Sequence, residues 1–482
     1  MRRKFALGLT VAVIGGLAFV TLPPSAVHPA AAAASAMSIV TGAGPGGGPD
    51  VEVLDGDGHR TNGFYAYAPT FTGGVRVTTG DLNCDGTSEI ITGAGPGGGP
   101  HVAVFNANGT PFIATGATAP TSFFAYQASL TSGISVAAGD LNGDGCDEII
   151  TAPGPGVEPK VNIFNDNGSF SNISFDAYDV GFSGGVWLAT GDVDGDGKDE
   201  IITGAGPSGA PHVRVFKYDN ASGQIVPMGG GWFAYDAGFR GGVRVAAADL
   251  DGSGKDQIIT APGSGGGPHV RSWTGVSGTP STVNMFAYSA AFDGGVFVGG
   301  GGDKSRHTGG IQNTFVTGAG PGGGPNVVRF KGTNAQQVAS FFPYNPAFHG
   351  GVSVALGDFN PQDSDHDGIS DAREIQLGTN PNSADSDGDG LSDWVETSPN
   401  CPADHSLPAC PHGGANIDTD HDGKVDALDT DSDNDGTPDG NGVEGTGDCD
   451  KNGVPNFRDA NDKCSATSST AKPPTSTTST TG

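Results

Sequence analysis

The feature that most constrains this chain is a phrase of small residues that returns six times. Ile-Thr-Gly-Ala-Gly-Pro-Gly-Gly-Gly-Pro, or a near copy, places its threonine at Thr41, Thr92, Thr151, Thr203, Thr260 and Thr317. A second phrase keeps the same register: a tyrosine, then an apolar residue, then a short Gly-containing turn into Val or Ile. Its tyrosines are Tyr67, Tyr126, Tyr178, Tyr235, Tyr288 and Tyr344. Gly (84) and Pro (33) make up about a quarter of the 482 residues, a composition that by itself suggests a disordered chain. A disordered Gly/Pro tract does not hold two phrases in register over some 300 residues, so a repeat architecture is expected.

Each unit divides into four short strands separated by turn residues. In the unit around residue 192 the expected strands are 185–191, 200–203, 212–216 and 232–235, with an acidic loop after the first and the Gly/Pro phrase after the second. Four strands repeated six times describe an all-β fold, a six-bladed β-propeller, or seven-bladed if a degenerate unit is hidden. A calcium-binding β-helix needs a much shorter coil. The array opens at 37–40 with no first strand before it and ends at 351–358 on a first strand with no second. The C-terminal strand is therefore expected to complete the first blade and close the ring, which removes exposed sheet edges.

The acidic loops carry the chemistry. The first offers Asp81, Asn83, Asp85, Thr87 and Glu89; the second Asp140, Asn142, Asp144, Cys146 and Glu148; the third Asp192, Asp194, Asp196, Lys198 and Glu200. Side-chain oxygens at positions 1, 3, 5 and 9, Gly at 6 and a main-chain carbonyl at 7 form a cage for Ca²⁺, which takes six to eight oxygens. The fourth loop keeps Asp249 and Asp251 but has Ser253 and Gln257 at positions 5 and 9, so weaker binding or none is expected. The fifth, around 302–307, has lost the pattern. The run Asp-x-Asn-Gly-Asp-Gly-x-Asp-Glu-Ile-Ile-Thr resembles the FG-GAP repeat of integrin α-chain propellers and their bacterial relatives. That resemblance covers 37–360 and implies a propeller with calcium in these loops, although six units are visible here rather than seven.

Beyond residue 360 the composition changes. About half of the 53 acidic residues fall between there and residue 464. Asp363, Asp365, Asp367, Asp371 and Glu374 are followed by Asp385, Asp387, Asp389, Asp393 and Glu396. Next come Asp418, Asp420, Asp422, Asp426 and Asp429, then Asp431, Asp433, Asp435 and Asp439. Positions 1, 3, 5, 9 and 12 with Gly at 6 again specify a calcium loop. These loops resemble thrombospondin type 3 repeats, which wrap calcium around little hydrophobic core. Two carboxylates about 5 Å apart repel by roughly 3 kcal/mol at an effective dielectric near 20. With few apolar residues to oppose that repulsion, the 361–464 module is expected to be irregular, stabilised by Ca²⁺ and disordered without it.

Residues 1–36 read as an export signal, with basic Met1-Arg2-Arg3-Lys4, a mostly apolar stretch over 5–20, and Ala34-Ser35-Ala36 before the cut. The Ser/Thr/Pro-rich 465–482 reads as a flexible tail. Six cysteines in an exported chain suggest disulfides. Cys401 with Cys410 and Cys449 with Cys464 are close enough to pair locally, which would leave Cys84 and Cys146 for each other, although the sequence does not select among the fifteen possible pairings. A net charge of −30 argues against nucleic acid, and no later stretch is apolar enough for membrane insertion. No nucleophile elbow, metalloprotease helix or phosphate loop leading into a helix is present. The expectation is a secreted or cell-surface calcium-binding protein, not an enzyme, with an extracellular protein or glycan as partner. A propeller-based hydrolase or lyase acting on polysaccharide is the alternative.

Overall fold

The computed structural model describes residues 38–114, 116–300 and 313–359. Beyond them it describes 364–365, 369, 374, 377–397, 417–420, 424–434, 439 and 456–458. The expected export signal, the tail and the four C-terminal cysteines lie outside the described residues. Among those described, no helix is long and apolar enough to cross a membrane.

Six antiparallel sheets follow one another. The first joins β25 (Val352–Gly357) to β1 (Ser38–Ala43), β2 (Asp50–Leu54) and β3 (Arg60–Tyr65). The second runs β4 (Val75–Gly80), β5 (Glu89–Ala94), β6 (His101–Phe105), β7 (Ser122–Phe124). The third is β8 (Ile134–Gly139), β9 (Glu148–Pro153), β10 (Lys160–Phe164), β11 (Phe170–Asp176). The fourth holds β12 (Val186–Gly191), β13 (Glu200–Ala205), β14 (His212–Asp219), β15 (Gln224–Pro227) and β16 (Trp232–Phe233). The fifth is β17 (Val243–Ala248), β18 (Gln257–Pro262), β19 (His269–Thr274), β20 (Thr279–Phe286), and the sixth β21 (Val296–Gly300), β22 (Thr314–Ala319), β23 (Val327–Lys331), β24 (Gln337–Phe341). The protein is a six-bladed β-propeller.

Closure is as expected. β25 pairs antiparallel with β1 from Ser38↔Gly357 to Ala43↔Val352, so both chain ends of the array share one blade. The first strands lie side by side in the cyclic order β25, β4, β8, β12, β17, β21 and line the axis. One expectation is corrected: the outer strand of the fourth blade is not 232–235. β14 is long enough to pair with β15 at its far end and with β16 at its near end, so the outer edge is built from two pieces.

The core is a set of wedges between blades. Ile91, Val102 and Val104 of the second blade pack with Ile134, Val136 and Ile149 of the third. At the closing seam Ile39 and Leu54 pack with Val316, Val327, Val352 and Val354. The two repeated phrases meet in these wedges. Each phrase tyrosine crosses to the next blade: Tyr178 donates to His212 O at 2.9 Å and meets Thr203 Oγ1 at 3.1 Å. Tyr344 does the same across the seam, to Asp50 O at 3.1 Å and Thr41 Oγ1 at 3.0 Å. The phrase threonines are fully buried, so the recurring Thr and Tyr form one inter-blade staple. A buried hydroxyl must find partners, and desolvation pushes these phenols well above their usual range.

Close approach explains the glycines at two places. Gly74 adopts φ 80°, and a Cβ there would lie 2.5 Å from the backbone of Gly44 in the neighbouring Gly/Pro loop. Gly139 ends a first strand near the axis, where a Cβ would lie 2.7 Å from Thr190 of the next blade.

Candidate calcium loops and binding face

Three blade loops, 81–89, 140–148 and 192–200, connect first to second strands at one end of the ring. They share one internal scaffold. The position-9 carboxylate accepts the N–H of position 2: Leu82 to Glu89 Oε2 at 2.9 Å, Leu141 to Glu148 Oε2 at 3.0 Å, Val193 to Glu200 Oε2 at 2.9 Å. The position-1 aspartate accepts the N–H of position 6, Gly86, Gly145 or Gly197, at 2.9–3.0 Å. These bonds gather the carboxylates of each loop without neutralising them.

The third loop shows the consequence. Asp192, Asp194 and Glu200 bring carboxylate oxygens within 4.8 Å of one another. Burial, with Asp194 and Asp196 nearby, pushes Glu200 up to about 8. Glu89 is likewise raised well above its ordinary value by burial and by Asp81 and Asp85. A buried carboxylate cluster of this kind fits a hard divalent cation. In the second loop an amide bridges instead: Asn142 Nδ2 donates to Asp144 Oδ2 at 2.9 Å and to Glu148 Oε1 at 2.8 Å. The fourth loop takes this further. Gln257 accepts Leu250 N at 2.6 Å through Oε1 while its Nε2 donates to Asp251 Oδ1 at 3.2 Å. The expected weakness of the Asp249 and Asp251 loop therefore has a cause, because a neutral donor stands where the others hold a carboxylate. The fifth loop lies outside the described residues.

Position 8 also has a role, which the sequence reading overlooked. Asp147, Asp199 and Asp256 each clamp the preceding loop: Asp199 N donates to Asp140 O at 2.8 Å, and Asp199 Oδ2 accepts Asp140 N at 3.2 Å. The same reciprocal pair joins Asp147 to Asp81 and Asp256 to Asp192. A Cys84–Cys146 disulfide ties the first two loops together, as elimination had left open.

In the C-terminal module, Asp385, Asp387 and Asp389 converge in one group, and Asp389, Glu396 and Asp439 in another. The second joins two repeats that the sequence reading had treated as self-contained. Glu396, on helix α1 (Asp393–Glu396), is fully buried, and neither of its carboxylate oxygens has a hydrogen-bond partner among the described residues. Burial and the surrounding aspartates push it up to about 11, Asp439 to about 7 and Asp387 to about 6. Orphaned buried oxygens of this kind fit a divalent cation.

Position 9 also has a bracing part here. Asp393 accepts Ser386 N at 2.8 Å and Ser386 Oγ at 2.7 Å, and Asp426 accepts Thr419 N, Thr419 Oγ1 and Arg458 Nε. Each oxygen of these two aspartates accepts a protein donor, so they brace the loops, much as the oxygens of Asp192 and Asp385 do by accepting backbone N–H groups. Asp365, Glu374, Asp418, Asp420, Asp429, Asp431 and Asp433 lie in the described parts of the module, whereas Asp363, Asp367, Asp371, Asp422 and Asp435 lie outside them. The apolar contribution is small, Val395 and Phe457 with Leu391 and Trp394.

The opposite face of the propeller gathers the Gly/Pro loops and the turns into the first strands, joined by bonds such as Gly46 N to Thr72 O at 2.8 Å. Its repeated tyrosines fill the gaps between blades and are half-buried, with their hydroxyls bonded across to the next blade. Other aromatics do. Tyr65, Phe124, Phe233, Phe286 and Phe342, one in each of five blades, are all more than half exposed. Three of them pack at a tilt on the histidine that starts the third strand, with His101–Phe124, His212–Phe233 and His269–Phe286 centroids at 5.2, 5.0 and 5.2 Å. The remaining blade carries a Lys160–Asp176 ion pair at 3.3 Å instead.

Comparison with known families agrees with this geometry. FG-GAP repeat models match residues 132–169 and 184–226, and bacterial TSP3 repeat models match 363–384 and 385–398. The chain carries FG-GAP and bacterial TSP3 repeats. Both types fit an extracellular calcium-binding protein. No curated protein matches the chain significantly. Among solved structures the FG-GAP propeller is similar to an Agrocybe aegerita lectin that recognises non-reducing terminal N-acetylglucosamine, at 19% identity over 64% of this chain and 76% of that one, TM-score 0.34. A Lactobacillus plantarum protein matches at 12% identity over 66% and 99%, TM-score 0.40. The exotype rhamnogalacturonan lyase YesX matches at 14% over 61% and 50%, TM-score 0.31.

Proposed function

We propose that this protein is a secreted or cell-surface adhesion module, not an enzyme, that binds an extracellular glycan or protein through the Gly/Pro face of its propeller, with calcium in a structural role. The observation that carries this reading is the rim of five exposed aromatics, repeated at equivalent positions of successive blades. Exposed rings on a rigid scaffold supply contact area at low entropic cost. Their repetition suits a ligand that itself repeats, because several weak contacts then add through effective concentration.

The acidic loops that could hold calcium lie at the other end of the ring from that face, which supports a structural role for the ion. Chelation then acts on binding only through stability. The test is a glycan array and an extracellular-matrix protein panel probed with the calcium-loaded chain, alongside a polysaccharide hydrolase and lyase screen. Binding that falls stepwise in Phe124→Ser, Phe233→Ser and Phe286→Ser, without loss of melting temperature, is the expected result. Turnover of a polysaccharide, or binding indifferent to all three changes, overturns the reading.

A further inference from the structure

The axis of the propeller opens on the Gly/Pro face into a cavity of about 200 Å³. Its lining includes the second residue of five of the six first strands, Arg76, Trp187, Arg244, Phe297 and Ser353. Arg76, Trp187, Arg244 and Phe297 meet there, within a collar of Gly/Pro-loop residues such as Pro45, Pro96, Pro207 and Pro321. Arg76 Cζ stands 4.5 Å from the Trp187 ring centroid. Arg244 Cζ stands 5.3 Å from the same ring and 3.6 Å from that of Phe297.

Among the described residues no carboxylate forms an ion pair with Arg76 or Arg244. Arg244 is 6% exposed, and its Nε and Nη1 are buried with no hydrogen-bond partner among the described residues. Desolvation lowers Arg76 to about 10, and desolvation together with Arg76 lowers Arg244 to about 9. In a chain of net charge −30, two guanidiniums gathered without a counter-charge are an uncompensated arrangement. The aromatic rings cover the faces of the guanidiniums. They leave the N–H edges, and an N–H fork in one plane is matched by a planar two-oxygen acceptor.

We infer that the mouth of the central channel is a binding site for a small carboxylate-bearing ligand of monosaccharide size, held by Arg244 and Arg76 against Trp187 and Phe297. The site is central where the aromatic rim is peripheral, so it stands or falls apart from the adhesion reading. Binding forms no covalent bond. It replaces unpaired guanidinium edges with charge-assisted hydrogen bonds, and the neutral sugar of the same shape leaves those edges unpaired.

The test uses the full calcium-loaded chain, with calorimetry and tryptophan fluorescence, and with D-glucuronate and D-galacturonate as probes. D-glucose and D-galactose serve as neutral counterparts, and acetate and inorganic phosphate as bare anions. A uronate is expected to bind, the neutral sugars to bind at least tenfold more weakly, and acetate to compete. Arg244→Gln and Arg76→Gln are each expected to weaken uronate binding at least tenfold. They are also expected to melt no lower than the parent without ligand, since each removes a buried unpaired charge. Having two single variants keeps the test usable if one folds poorly. The inference is overturned if neither uronate binds, if glucose or galactose binds as well, if phosphate is preferred to every carboxylate, or if both variants bind like the parent.

Discussion

Replacing Glu200 by glutamine tests directly whether calcium neutralises the blade loops. In the calcium-free chain Glu200 titrates near 8 rather than at its ordinary 4.5. Below pH 4.5 the carboxyl is protonated in both the folded and unfolded chains and costs nothing. As pH rises, the unfolded chain ionises first, so folded stability is lost progressively through about pH 8. A shift from 4.5 to about 8 corresponds to about 5 kcal/mol at most. Glutamine removes that cost and keeps the bond to Val193 N, as Gln257 does for Leu250 N in the fourth loop. E200Q is therefore expected to be more stable than the parent in EDTA at pH 8, and equal to it near pH 4. In calcium the order reverses, and native mass spectrometry should count one ion fewer. Chemical denaturation at pH 4, 6 and 8, with and without calcium, reads both effects. If E200Q is no more stable than the parent in EDTA at pH 8, or binds as many ions, the loop does not work this way.

The converse substitution, Gln257→Glu, gives the fourth loop the position-9 carboxylate of the other three and is expected to add one bound calcium by native mass spectrometry. Tyr344→Phe removes both hydrogen bonds of the closing staple and leaves the fully buried Thr41 hydroxyl short of a partner. It should cost about 1–3 kcal/mol in denaturant unfolding, comparable to Tyr178→Phe within the array. Gly74→Ala meets both a positive φ and the Gly44 backbone, whereas a Cβ at Gly230 meets nothing within 4 Å. Expression and melting should show G74A strongly destabilised and G230A close to the parent.

What was legible in the sequence was whatever repeats. The Thr, the Tyr and the loop aspartates recur in register, so blade number, ring closure and the place of the acidic loops could be read from the chain alone. The role of the tyrosines was left between recognition and packing, because an aromatic beside Gly-Gly suits either; the bond to Thr on the next blade decides it. The arginine pair escaped because the residue at its position changes around the ring: Arg76, Ser135, Trp187, Arg244, Phe297 and Ser353 share a place but no single chemistry. A reading built on similarity between units passes over such a position. The Asp389–Glu396–Asp439 group escaped for a different reason. Its members belong to separate loops, and spacing within one loop carries no information about which loops pack together. The position-8 aspartates did carry a signal, Asp immediately before Glu or Gln in three loops, but one that a ligand count treats as spare.

The account rests on cations balancing gathered carboxylates, most acutely around the fully buried Glu396, which Asp389 and Asp439 approach. Small-angle scattering and calorimetry on the same calcium-loaded and EDTA-treated samples at pH 7.5 measure this directly. The expected result is that chelation enlarges the particle and abolishes or lowers a melting transition, and that restored calcium reverses both. Identical scattering curves and identical transitions in the two samples would contradict it.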